Sequence, residues 1–148
     1  MTKKFIIMHH SQTKDGTTKD FDAIKKYHME VNGWSNIGYH YVIEAVNGKY
    51  EVLPGRAEDQ KGAHTKELTF NAEGLGICLV GNFDILVPAA AQWQVALELV
   101  RGLMKKYGIA SKNVLGHREA QAIGGLPVEQ RKTCPGKAFN MDLFRAAL

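Results

Sequence analysis

Three strong metal-binding side chains stand far apart in this chain: His9 or His10 near the start, His117 late, and Cys134 later still. A fold that unites them must bring three remote segments to one place, which constrains architecture more than any local pattern does. Two imidazoles and a thiolate suit a catalytic zinc, which keeps three protein ligands and one open position, whereas structural zinc usually takes four. The short ligand spacings of zinc fingers and metalloprotease helices are missing, so no local knuckle or single helix can hold the ion. Spacing alone is a weak guide, because a lone Cys and two of six His are more often unrelated residues.

Local patterns predict alternating strands and helices with no repeat, linker or low-complexity segment. Residues 4–8 read as a buried strand. Residues 20–31 read as a helix carrying Phe21, Ile24, Tyr27, His28 and Val31 at helical spacing, ended by Asn32-Gly33. Strands at 39–46 and 49–53 flank Asn47-Gly48, a pair tolerant of positive φ that marks a two-residue hairpin. Residues 75–80 form another apolar strand. Residues 88–107 form a long amphipathic helix with Trp93, Leu97, Val100, Leu103 and Met104 toward the core and Gly108 as its C-cap. A short strand at 113–115 leads into His117, and Asn140 caps a last helix at 141–147. The expected fold is α/β: a single domain over residues 1–148, with a mixed central sheet flanked by helices on both faces.

With 148 residues, 45% of them hydrophobic, the chain suits one globular core. The apolar run at residues 5–8 is too short for a signal peptide, and no stretch is long enough to cross a membrane, which predicts a protein made in the cytoplasm; a monomer is expected. In that compartment Cys78 and Cys134 would stay unpaired, and Cys78 reads as a small buried hydrophobe. The net charge of +4 is spread along the chain without a dense basic run or a stacking motif, so nucleic acid is not the expected partner. The same field would attract anionic cell-wall polymers.

Six blocks occur in order: Phe5-Ile6-Ile7-Met8-His9-His10-Ser11, Gly33-Trp34-Ser35-Asn36-Ile37-Gly38-Tyr39-His40-Tyr41, Gly62-Ala63-His64, Gly74-Leu75-Gly76-Ile77-Cys78-Leu79-Val80-Gly81, Gly116-His117-Arg118-Glu119 and Lys132-Thr133-Cys134-Pro135-Gly136. Together they resemble the type 2 N-acetylmuramoyl-L-alanine amidases, a family that includes phage lysozyme-type amidases and animal peptidoglycan recognition proteins. The resemblance implies zinc held by His9, His117 and Cys134, and hydrolysis of the bond between N-acetylmuramic acid and L-alanine in peptidoglycan, as in a phage or prophage endolysin or a wall-recycling enzyme. Chemistry alone leaves His9 and His10 open, since successive strand side chains point to opposite faces; the family pattern favours His9.

The resemblance also implies Tyr39 and Lys132 as catalytic groups that position water or stabilise the oxyanion. His64 and His10 stand as candidates for the substrate groove. His28 and His40 read as structural. Glu119 could orient an imidazole or form a surface ion pair. Some family members bind peptidoglycan without cutting it, typically after losing a ligand, and certain phage members also inhibit an RNA polymerase. All three ligands are kept here. Glu67-Leu68, after Gly62-Ala63-His64, departs from the small residue often found there. The zinc deaminase signature fails: Pro135 follows the cysteine, and Lys137 stands where a second cysteine would be needed.

Overall fold

The computed structural model describes residues 2–13, 20–67 and 69–148, which build a five-stranded mixed sheet with helices on both faces. The elements are β1 (Phe5–His10), α1 (Asp20–Lys26) running on into a π-helical turn (Tyr27–Val31), β2 (Tyr41–Val46), β3 (Lys49–Pro54), α2 (Phe70–Glu73), β4 (Gly74–Leu79), α3 (Ala90–Tyr107), β5 (Val114–Gly116), α4 (His117–Ile123) and α5 (Met141–Ala146). Strand order is β3-β2-β4-β1-β5. The central strand β4 runs parallel to both its neighbours, β2 and β1, β1 runs parallel to the edge strand β5, and β3 closes the other edge antiparallel to β2. Among the described residues no helix is long and apolar enough to cross a membrane.

Every residue of β4 is buried, as expected for an apolar strand in the parallel part of a sheet covered on both faces. Period-two alternation then assigns the faces. Ile6 and Met8 of β1 join Ile77 and Leu79 of β4 against Leu97, Val100 and Leu103 of α3 and Phe144 of α5. On the other face Ile7 packs with Phe70, Leu115 and Ala120. There too, Val42 and Cys78 pack with Ile37 and the half-buried Phe21 and Ile24 of α1.

The hairpin forms where expected, with Asn47 at φ 52 and Gly48 at φ 80 between the paired residues Val46 and Lys49. The second position favours glycine because it lacks the Cβ that clashes at positive φ. The α3 helix ends at Gly108, whose N–H donates to the Met104 carbonyl, and Asn140 caps α5 by accepting from the Leu143 N–H at 3.0 Å.

One expectation fails. The predicted stripe over residues 20–31 holds at Phe21, Ile24 and His28, which are half-buried, while Tyr27 is 56% and Val31 66% exposed. The Asn32 N–H donates to the carbonyl of Tyr27, five residues back, so a residue is added to the turn and positions three or four apart no longer share a face. The short helices α2 and α4 were not anticipated, since four and seven residues carry no readable stripe.

Candidate metal centre and groove

Strand register brings the first two candidate ligands together. Met8 pairs with Gly116 across the parallel β1 and β5, and one step further places His9 beside His117, with ring centroids 4.7 Å apart. Alternation sends His9 to the face covered by α1 and His10 to the other, where the His10 Nδ1 accepts from the Phe83 N–H at 3.1 Å. Cys134 arrives from the loop between α4 and α5, with its Sγ 3.7 Å from the His9 Nδ1. One ligand atom from each of His9, His117 and Cys134 lies within 4.8 Å of the others, and all three residues are buried. Tetrahedral zinc with ordinary bond lengths would set an N to S separation of about 3.6 Å, so this donor set fits the ion.

Arg118, next in chain to His117, ties the second candidate ligand to the third. Its N–H donates to the Cys134 carbonyl at 2.8 Å. Its guanidinium donates to the carbonyls of Thr133, Gly136 and Phe139 at 3.1, 2.6 and 2.9 Å. Asp84 holds the same loop from the other side, accepting from the Thr133 hydroxyl and the Lys137 N–H, both at 3.0 Å. Sequence reasoning assigned neither residue a role, and the Gly-His-Arg-Glu block was the only signal for Arg118.

Burial sets the protonation states. It holds His9 well below its ordinary range, with the neighbouring His117 and His64 adding to the effect. It takes His117 down to about 4, with Lys132 adding to the shift and Glu67 opposing it. Both rings are therefore neutral at pH 7, the form that binds metal. Burial pushes the Cys134 thiol up to about 12 against the pull of the His10 N–H, Lys132 and Arg118, so an arriving cation must displace its proton.

Tyr39 sits against His9, ring centroids 5.1 Å apart, and burial followed by the thiols of Cys78 and Cys134 raises its hydroxyl well above the usual range, so it remains a donor. Lys132 is exposed at the groove, its backbone N–H held by the Gln121 side chain at 2.8 Å. The groove measures about 850 Å³ and includes both residues together with His10, His64, the three candidate ligands and Trp34, a wall residue not singled out from sequence.

Glu119 resolves to an ion pair: it accepts from the Gly116 N–H at 2.8 Å and binds Arg145 through both oxygens, at 2.8 and 2.9 Å. His40 is structural, its Nδ1 accepting from the Gly76 N–H at 3.0 Å and its Nε2 donating to the Gln60 carbonyl at 2.9 Å. His28 likewise accepts from the Gly38 N–H at 2.9 Å. Of the Glu67-Leu68 pair, Glu67 lines the groove wall and Leu68 lies outside the described residues.

Fold and site together define an α/β protein with three side chains that could hold a metal gathered in a groove at the carboxyl ends of parallel strands. Residues 1–137 match the family model described as N-acetylmuramoyl-L-alanine amidase, and the chain belongs to that family. The N-acetylmuramoyl-L-alanine amidase of Homo sapiens is 29% identical over 150 residues, covering 95% of this chain and 23% of the human protein. Peptidoglycan-recognition protein SC2 of Drosophila melanogaster is 30% identical over 121 residues, covering 78% of this chain and 63% of that protein. The chain thus spans 23% and 22% of the length of the human and Sus scrofa amidases it matches. Among solved structures, the N-acetylmuramoyl-L-alanine amidase LysC from Clostridium intestinale superposes with a TM-score of 0.78 at 27% identity, covering 99% of this chain and 85% of that one. The endolysin amidase LysCS from the same organism gives 0.75 at 27% identity, covering 99% and 83%.

Proposed function

We propose that this chain is a zinc-dependent hydrolase of the amide bond between N-acetylmuramic acid and L-alanine in peptidoglycan, acting as an endolysin. The observation that carries this reading is the meeting of His9, His117 and Cys134 beside the Tyr39 ring in an open groove. These three residues would hold the ion through two neutral nitrogens and a thiolate. Zinc held there supplies Lewis-acid chemistry, which makes water nucleophilic at neutral pH and polarises an amide carbonyl.

The chain's own residues do the rest. Amide hydrolysis builds negative charge on the carbonyl oxygen, and donors already in place stabilise that charge without reorganising. The Tyr39 hydroxyl, kept protonated by its burial, is one such donor. The Lys132 ammonium at the groove is a second, its positive charge close enough to act on both His9 and His117. The groove orients the glycan and stem peptide, and the net charge of +4 draws the protein toward anionic wall polymers. Names of relatives agree with this substrate class: the human and Clostridium proteins are called amidases and the Drosophila protein a peptidoglycan-recognition protein.

Product analysis on purified sacculi tests the reading. The expected result is free L-alanine amino termini with unbroken glycan strands. New reducing sugars would indicate a glycosidase, new amino groups on other stem residues a peptidase, and tight binding without product a recognition protein. Turnover of intact sacculi in preference to soluble muropeptides supports the endolysin role over wall recycling.

A further inference from the structure

His64 was expected to line the substrate groove, yet its ring is engaged from behind. It is 8% exposed, its Nδ1 lies 3.0 Å from the His9 Nε2, and its own Nε2 lies 3.4 Å from the Gly74 carbonyl. Two imidazole nitrogens in contact share one proton, and the remaining neighbours decide which ring supplies it. A carbonyl only accepts, so the His64 proton belongs on Nε2 and its Nδ1 is left as an acceptor. The His9 proton therefore sits on Nε2, and the His9 lone pair is on Nδ1, the atom that faces the Cys134 Sγ at 3.7 Å. The opposite assignment would set the lone pair of His64 Nε2 against the Gly74 oxygen and place a proton where His9 must offer electrons.

The His64 ring occupies a built slot. A Cβ on Gly76 of β4 would lie 2.6 Å from both the Cγ and Cδ2 of His64, and one on Gly62 would lie 2.5 Å from its Cδ2. Only glycine at these positions lets the imidazole lie this close to the strand. The segment is pinned by Asn71, whose Oδ1 accepts from the N–H groups of His64 and Thr65 at 2.8 and 3.0 Å.

We propose that His64 is a positioning residue for the metal site: it locks His9 in the tautomer protonated on Nε2 and aims the Nδ1 lone pair at the ion. This inference rests on the reading of His9 as a zinc ligand. Metal-bound histidines commonly donate their second N–H to a carboxylate, a backbone carbonyl or water. Here a neutral imidazole takes that place, relaying the orientation of a backbone carbonyl to the ligand across two rings.

The test compares zinc affinity, by competition with a chromophoric chelator, in the untagged wild type, His64→Asn and His64→Leu. His64→Leu should bind zinc roughly 10- to 100-fold more weakly, the usual cost of losing such a partner. His64→Asn, whose side-chain oxygen accepts from near the position of Nδ1, should recover most of that loss. Equal affinity in all three proteins, or equal losses in both variants, would overturn the assignment while leaving the zinc reading intact. A wild type that takes up no zinc would instead remove the zinc reading, and this inference with it. Long-range proton–nitrogen correlation spectra of the metal-free wild type give a readout independent of how the variants fold. Protons on Nε2 of both His9 and His64 are expected, and a proton on the His9 Nδ1 would refute the proposal.

Discussion

Tyr39 and Cys134 both have raised pKa values, and the same burial serves opposite ends in the two residues. For Tyr39 it preserves a donor. Tyr39→Phe should therefore keep fold and zinc content while turnover collapses, whereas Cys134→Ala should lose most zinc as well; metal analysis beside product assays separates the two. Lys132→Ala should leave zinc in place and lower kcat by roughly a hundredfold, the scale of a lost oxyanion partner. For Cys134, burial means that the thiol, up to about 12, is still protonated at neutral pH. His117, at about 4, and His9, well below its ordinary range, are already neutral. Zinc uptake should thus release one proton from Cys134, so affinity should fall about tenfold for each unit of pH lowered between pH 8 and pH 5. Chelator competition across that range measures the slope.

Among the elements, α4 does more than follow β5. It begins at His117, and its second residue staples the loop that carries Cys134, so one turn of helix sets the positions of two candidate ligands. Arg118→Met keeps much of the side-chain volume but leaves three carbonyls without their donor. The expected cost is roughly 2 to 4 kcal/mol of stability by denaturant titration, since charge-assisted bonds are at the upper end for single interactions. Zinc affinity should weaken with it. Gly48→Ala in the β2–β3 hairpin, where φ is 80, should cost about 1 kcal/mol and leave zinc affinity unchanged, because that turn joins the edge strand to its neighbour and contributes nothing to the groove. The contrast between the two variants separates loss of the site's scaffold from general destabilisation.

Across the whole molecule, the histidines gathered around the sheet should make the metal-free protein acid-sensitive. Burial lowers His40 and His117 to about 4 and His64 to about 3, from an ordinary 6.5. A histidine depressed in the folded state binds its proton first in the unfolded chain. Its stabilising contribution is therefore complete above about pH 6.5 and is lost as pH falls through that value toward the folded pKa. At most, such shifts correspond to roughly 3 kcal/mol each for His40 and His117 and roughly 5 kcal/mol for His64. The Tm of metal-free protein should accordingly be flat above neutrality and drop steeply from pH 6.5 to pH 4. Zinc should raise Tm at neutral pH, by about 4 kcal/mol of stability when free zinc exceeds its Kd a thousandfold. That increment should shrink on acidification as Cys134 regains its proton.

The sequence by itself determined whatever neighbouring residues settle among themselves. Asn47-Gly48 specified the turn because only positive φ closes a two-residue hairpin. The apolar run of β4, the stripe of α3 with its Gly108 cap, and the Asn140 cap were legible for the same reason. The chemistry of the ligand set was also readable, since two imidazoles and a thiolate suit few ions. Tertiary structure set His9 rather than His10 beside His117: consecutive strand residues differ only in which face they reach, so residue chemistry left the two open and only the family pattern favoured His9, whereas the pairing of β1 with β5 decides the face that meets His117. It turned Tyr27 and Val31 outward through a backbone hydrogen bond to the fifth residue back, which side-chain spacing does not record. It also set His64 against His9 and Arg118 against the Cys134 loop, contacts whose partners are 55 and 15 to 21 residues away. Turns and helical stripes depend on φ preferences and periods within a few residues, whereas the site depends on strand register and loop placement, which exist only once the core has packed.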